Sequence, residues 1–146
     1  MNILALDIAT KTGWACDTAS GTWDFKTKRG ESAGMVHIRF KARLKEFLSL
    51  EKIDIVVYEQ PSGRNKAPII FAAKMIAHLE EYCLENKIQV ANYPAKEIKK
   101  FWTGNGNAGK PAMIAEAQSR FPDLEIIDDN HADALALLAL AQSDLL

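Results

Sequence analysis

Short apolar runs alternate with longer amphipathic stretches along this chain, a pattern typical of α/β proteins. Residues 2–8 (NILALDI) and 53–59 (IDIVVYE) are apolar runs too brief for helices, and each carries an acid near its end. Such runs predict strands that are buried on both faces of a sheet. Residues 88–94 (IQVANYP) predict a third strand of this kind, stopped by Pro94.

Two further strands are predicted as a hairpin after the first run. The segments GWACDTA and TWDFKTK are rich in aromatic residues and Thr, and Ser20 and Gly21 form a turn pair between them. We expect this hairpin to lie antiparallel beside the first strand.

Helical periodicity fills the rest of the chain. Residues 31–50 predict an amphipathic helix with a basic outer side, and residues 69–86 predict a second helix after a loop rich in Pro, Gly, Ser and Asn. A short helix follows in AKEIKKFWTG, another runs from Pro111 to about Phe121, and the last spans HADALALLALAQ. Asp128, Asp129 and Asn130 are well suited to cap that last helix.

This order of elements predicts a ribonuclease H-like fold, with a five-stranded mixed sheet flanked by helices on both faces. A strand that follows a helical crossover pairs parallel to its predecessor. The sequence contains no repeat and no linker that would divide it. We therefore predict a single domain over residues 1–146.

Composition narrows the functional classes. The formal net charge is -1, so any nucleic-acid surface must be local rather than a general basic excess. The two cysteines do not form a metal-binding set or a disulfide framework. No apolar stretch approaches the length of a membrane span, so we expect a cytoplasmic protein with no membrane partner.

Carboxylates stand where the predicted strands end. Asp7 and Glu59 lie at the carboxyl ends of two parallel neighbours, which brings them together at one edge of the sheet. Asp133 opens the last helix, with Asp129 or Asn130 one turn earlier as a further oxygen ligand. Oxygen ligands favour Mg²⁺, with Mn²⁺ as a substitute, and two such ions meet the needs of phosphodiester hydrolysis.

Each of these acids also has a structural explanation when it is considered alone. A strand-end Asp or Glu can accept hydrogen bonds from backbone amides, and the residues before Asp133 can serve only as helix caps. It is the combination of the three acids that favours a metal site. We interpret His131 as a surface residue or one behind the ligands, and the Ser, His and Cys residues show no catalytic triad.

Local positive charge is a candidate for DNA contacts. Basic residues follow Glu59 and surround the later Gly/Asn loop, where cations and exposed backbone amides suit phosphate binding. A solvated helix face explains other basic residues, between positions 26 and 45. Trp102, beside the Gly/Asn loop, is a candidate for stacking on a base. The predicted DNA-binding residues are Arg64, Lys66, Lys99, Lys100 and Lys110.

Four segments resemble the RuvC-type Holliday-junction resolvases, particularly the short versions found in phages and prophages. They are LALDIATKTGWA, IVVYEQP, PAKEIKKFWTGNGNAGKPAMI and DDNHADALALLALA. The resemblance implies that Asp7, Glu59 and Asp133 are the catalytic carboxylates. It also implies that Lys99 or Lys100, together with Lys110, approaches the DNA backbone.

The resemblance implies a Mg²⁺-dependent endonuclease that acts on four-way DNA junctions as a homodimer, in the cytoplasm of a bacterial host if it is phage-encoded. One position departs from the pattern. Asn130 stands three residues before Asp133, where better-known members carry Asp or His. The fourth ligand is therefore open between Asn130, Asp129 and His131.

Other functions compete with this interpretation. A ribonuclease H-like nuclease acting on RNA, flaps or forks would use the same acids, and a catalytically silent scaffold for branched DNA would keep the same fold. Half of a sugar-kinase or actin-like ATPase also begins with a strand bearing Asp. That class needs a duplicated second domain and a Gly-rich adenosine motif, which these 146 residues do not contain.

Overall fold

A single mixed sheet organises the chain, which a computed structural model describes over residues 1–146. Its strands pack in the order β3-β2-β1-β4-β5, with β1 parallel to β4, β4 parallel to β5, and the β2–β3 hairpin antiparallel to β1. This confirms the predicted five-stranded mixed sheet. The strands are β1 (Ile3–Asp7), β2 (Lys11–Ala15), β3 (Ser20–Asp24), β4 (Ile55–Glu59) and β5 (Gln89–Tyr93).

Helices cover both faces of the sheet. The long helices α1 (Met35–Leu50) and α2 (Lys66–Glu85) pack on one face. The other face carries α3 (Ala95–Thr103), α4 (Lys110–Arg120) and α5 (Asp129–Leu145).

Side chains of the central strands alternate between the two helical layers. In β1, Leu4 and Leu6 point toward α1 and α2, whereas Ile3 and Ala5 point toward α5. All four are almost completely buried. Because both faces are covered, successive residues must all be apolar, which accounts for the uninterrupted runs in the sequence.

The first two helices begin about one turn away from their predicted starts. The first helix starts at Met35 rather than near Glu31. Glu31 lies in the loop before the helix, and its carboxylate pairs with Arg39 of α1. The second starts at Lys66, three residues before the predicted position 69. Pro68 lies in its first turn, where backbone N–H groups have no partner within the helix, so the missing N–H of proline costs no helical hydrogen bond.

Trp102 belongs to the core, so its prediction as a base-stacking residue is wrong. The ring is 2% exposed, and its Nε1 donates a hydrogen bond to the Met113 carbonyl oxygen at 3.2 Å. The Arg120 guanidinium lies 4.0 Å from the ring centroid on the outer side. Both cysteines are free, and none of the helices is long and apolar enough to cross a membrane.

Candidate active site

Asp7 and Glu59 are the last residues of adjacent parallel strands. Leu6 pairs with Tyr58, so the two acids follow directly after the last paired residues of β1 and β4. Both strands are apolar up to this point, and the acids are the first polar side chains at the carboxyl edge. The predicted meeting of two carboxylates at one edge of the sheet is therefore what the topology produces.

The start of α5 is held against this edge by a close backbone contact. Gly13 of β2 pairs with Asp7 on one side and faces the first turn of α5 on the other. A Cβ atom at Gly13 would stand 1.8 Å from the Asn130 carbonyl oxygen, a distance that no real structure tolerates. Glycine is thus required for the helix to approach the strand beside Asp7.

A capping residue fixes where α5 begins. The Asp128 carboxylate accepts hydrogen bonds from the His131 backbone amide at 2.8 Å and from the Thr22 hydroxyl of β3 at 3.1 Å. The helix therefore starts at Asp129, so Asp129 and Asn130 lie within its first turn. Asp129 and Asp133, four residues apart, lie on one face of the helix.

His131 is a buried link between α5 and the hairpin. Its Nδ1 accepts a hydrogen bond from the Ile127 amide at 3.1 Å, so its Nε2 carries the proton that is donated to the Ser20 hydroxyl at 2.8 Å. The side chain is 1% exposed. Both ring nitrogens of His131 are therefore engaged in hydrogen bonds within the protein, and the residue is not on the surface.

The carboxylates influence one another electrostatically. Burial raises the pKa of Asp7 well above its usual value, and the charges of Asp133 and Glu59 raise it further. Burial, together with Glu59 and Asp129, raises the pKa of Asp133 to about 7. Burial also raises the pKa of Glu59, against the opposing charge of Lys99. These four acids form one cluster of excess negative charge.

This cluster fits a divalent cation by its chemistry. No ion pair joins Asp7, Glu59 or Asp133 to a basic side chain, and one buried oxygen of Asp128 (Oδ2) has no hydrogen-bond partner. As the side chains lie, no three of them converge closely enough to hold an ion. To bind a cation the carboxylates would have to come closer together, and the charge of the ion would offset their mutual repulsion.

The predicted basic residues fall into two groups. Lys110 and Lys99 lie beside the acids: the Lys110 ammonium is 3.6 Å from an Asp129 carboxylate oxygen, and both lysines oppose the rise in the pKa of Asp133. Lys100 is exposed on α3, Arg64 is exposed in the loop after β4, and Lys66 is exposed at the start of α2. None of these three forms an ion pair with the acids.

Two site residues could not be identified from the sequence. Gly13 lies inside a segment correctly predicted as strand, and nothing local marks it as the docking point for a helix that starts more than a hundred residues later. The predicted turn at Ser20 and Gly21 is wrong, because both residues lie in β3. The Ser20 hydroxyl bonds His131 across 111 positions of sequence, which no local pattern indicates.

Part of this chain is similar in sequence to a known nuclease. No protein family model matches the chain. The crossover junction endodeoxyribonuclease RuvC of Brachyspira hyodysenteriae is 45% identical over 58 residues, which are 40% of this chain and 35% of that protein. The chain thus spans about a third of the length of this relative.

Solved structures match over almost the whole chain. The RuvC structure of Thermus thermophilus superposes with a TM-score of 0.77 at 18% identity, covering 99% of this chain and 96% of that one. A second, of T. thermophilus RuvC in complex with Holliday junction substrate, gives 0.75 at 21% identity, covering 94% and 90%. The chain therefore has the RuvC fold, and its resemblance to the RuvC-type resolvases is confirmed.

Proposed function

We propose that this protein is a metal-dependent, structure-selective endonuclease that hydrolyses phosphodiesters in four-way junctions or other branched DNA. The observation that carries the proposal is the clustering of Asp7, Glu59 and Asp133 at the carboxyl edge of the sheet, where none of the three forms an ion pair with a basic side chain. The fold supports it, since a protein with the same fold is known in complex with Holliday junction substrate.

We propose Mg²⁺, with Mn²⁺ as a substitute, as the ion held by Asp7, Glu59 and Asp133. Asp129 and Asn130, in the first turn of α5, are the remaining candidates for a fourth ligand. When bound, such ions supply activation of a water molecule and stabilisation of the leaving oxygen. The protein then needs no nucleophilic side chain of its own.

The other residues of the site position the substrate and the acids. Asp128, His131 and Gly13 fix the first turn of α5, and hence Asp133, against the hairpin and β1. Lys99 and Lys110 stand beside the cluster, where their ammonium groups can hold the phosphates that flank the scissile bond. A fixed phosphate close to the reacting groups lowers the entropic part of the barrier.

A comparison of substrates tests this proposal. The wild-type protein would be incubated with a synthetic four-way junction, a linear duplex, a flap and an RNA–DNA hybrid, with Mg²⁺ and with chelator. We expect paired, Mg²⁺-dependent cuts confined to the junction. Cuts mainly in the hybrid or the flap would assign a different substrate to the same site, and no metal-dependent cutting of any substrate would indicate a silent scaffold.

We also propose that the protein acts as a homodimer, because two symmetric cuts across a junction suit a two-fold partner. Light scattering of the free protein and of the junction complex checks this. The proposal predicts the mass of two chains in the complex, and one chain on each junction would contradict it.

A further inference from the structure

Two histidines face each other on the side of the sheet away from the acids. His37 of α1 and His78 of α2 stand with His37 Nδ1 3.0 Å from His78 Nε2, and their rings meet edge to face at 83°. They belong to the helical layer that packs on Leu4, Leu6 and Val56, whereas α5 covers the opposite face. This pair has no part in the proposed nuclease site.

The chemistry of the pair is that of two metal ligands. A hydrogen bond between two imidazoles requires an unprotonated nitrogen on one of them, and neutral imidazole is the form that binds metals. Burial and the nearby Lys41 both lower the pKa of His78, against the opposing charge of Glu81. Two nitrogens bound to one ion at about 2.0–2.1 Å stand roughly 2.9–3.4 Å apart, which includes the observed spacing.

We infer that His37 and His78 form a binding site for a transition-metal dication of the Zn²⁺, Ni²⁺ or Cu²⁺ class. Imidazole nitrogen suits these ions, whereas Mg²⁺ prefers oxygen. Glu81 lies one turn after His78 on α2 and is exposed; its carboxylate does not face the pair closely enough to be a ligand as it stands, and it would have to turn toward the ion to become a third one. Lys41, also exposed, can turn its ammonium away into solvent.

A bound ion would replace one hydrogen bond between α1 and α2 with two coordination bonds. Both helices pack over the same face of the sheet, so the ion would join two segments that are 41 positions apart in sequence. Because the pair is assembled only in the folded protein, binding would raise the midpoint of thermal unfolding.

A titration with NiCl₂ in saturating Mg²⁺ tests the site without DNA or cleavage. We expect the unfolding midpoint of the wild type to rise by several degrees, and the rise to be lost in His37→Gln and in His78→Gln. Asp7→Asn, which alters the carboxylate cluster and not the histidine pair, is the control and should keep the rise of the unfolding midpoint. No rise in the wild type, or a rise that both histidine variants keep, would overturn the inference.

A second measurement uses only the wild-type protein, so it does not depend on whether the histidine variants fold. In the wild-type protein, imidazole ¹⁵N signals of His37 and His78 should move on addition of ZnCl₂, while those of His131 stay in place. Unmoved signals of His37 and His78 would refute the site. The result is independent of the nuclease proposal, because an inactive protein would give the same signals.

Discussion

The carboxylates of Asp7 and Asp133 lie where burial disfavours a negative charge. Asp7 ends a strand whose preceding four residues are almost completely buried, and Asp133 lies on a helix packed against that strand. An ionised carboxylate in such surroundings loses hydration, and a neighbouring carboxylate adds repulsion. The same acids that suit the proposed chemistry therefore destabilise the metal-free protein at neutral pH.

This conflict predicts a pH dependence of stability. A carboxyl whose pKa is raised by folding contributes stability that is complete below its unfolded pKa and is lost as pH rises through its folded pKa. For Asp133 the window runs from about 4 to about 7. We expect the unfolding midpoint of the metal-free protein to fall across this range, and Mg²⁺ to restore it.

Asp133→Asn should reduce this fall, because the amide cannot ionise. Differential scanning calorimetry of the metal-free protein from about pH 4 to about pH 8, which spans the transition, provides the measurement. Asp123→Asn, an exposed carboxyl in the loop before α5, serves as the control and should behave as the wild type. An equal fall in Asp133→Asn and wild type would contradict the raised pKa of Asp133.

The position of one element, α5, decides the geometry of the site. The capped start of this helix bonds to β3 through Thr22 and Ser20, and its backbone touches β2 at Gly13. The helix then buries nine residues against the sheet and the neighbouring helices. The burial holds the helix as a whole, whereas the polar contacts fix its first turn.

Gly13→Ala tests the close contact at that turn. The added methyl group would overlap the Asn130 carbonyl, so the helix start must shift away from Asp7. We expect a loss of about 1–3 kcal/mol in the free energy of unfolding, as for other overpacked sites, together with weaker Mg²⁺ binding. Urea unfolding and calorimetric titration would measure the two effects.

Gly34→Ala is the matched control. Its nearest neighbour outside the adjacent residues is 3.7 Å away and its backbone is already helical, so this substitution should change neither quantity appreciably. If Gly13→Ala proved as harmless as Gly34→Ala, the helix would not depend on the close approach.

The strands and their terminal acids can be predicted from the sequence because both leave a local pattern. An apolar run that ends in an acid marks both a buried strand and its carboxyl edge, so local pattern alone was enough to place Asp7 and Glu59 together. The roles of Gly13 and His131 depend on how the last helix docks on the hairpin. No local pattern reports such a contact, because its two halves lie at opposite ends of the chain.

At the scale of the whole molecule, acidic and basic residues nearly balance in number but are unevenly distributed over the surface. The net charge is -1, yet Lys99 and Lys110 stand at the edge of the acidic cluster and oppose its charge. Cations bound by the acids would leave this edge positive, as contact with phosphates requires. The sign of the DNA-facing surface would thus depend on metal binding.

Lys110→Ala tests the proposed phosphate contact. The side chain is 78% exposed, so its ion pair with Asp129 contributes little to stability. We expect weaker junction binding and a salt dependence that is shallower by about one phosphate contact. Fluorescence anisotropy over a series of salt concentrations provides the slope.

Lys52→Ala is the control for this measurement. Lys52 is exposed and precedes β4, at the edge of the sheet opposite the acids, so its removal should leave the slope unchanged. Equal slopes for Lys110→Ala and wild type would exclude Lys110 from the DNA contacts.

The most direct test of the proposed nuclease site is a parallel measurement of junction binding and junction cleavage by Asp7→Asn, with Asp123→Asn as the matched control. We predict that Asp7→Asn folds, binds the four-way junction and fails to cut it in Mg²⁺, while the control binds and cuts as the wild type does. Cleavage by Asp7→Asn at the wild-type rate would contradict the central claim that this carboxylate cluster is the catalytic site.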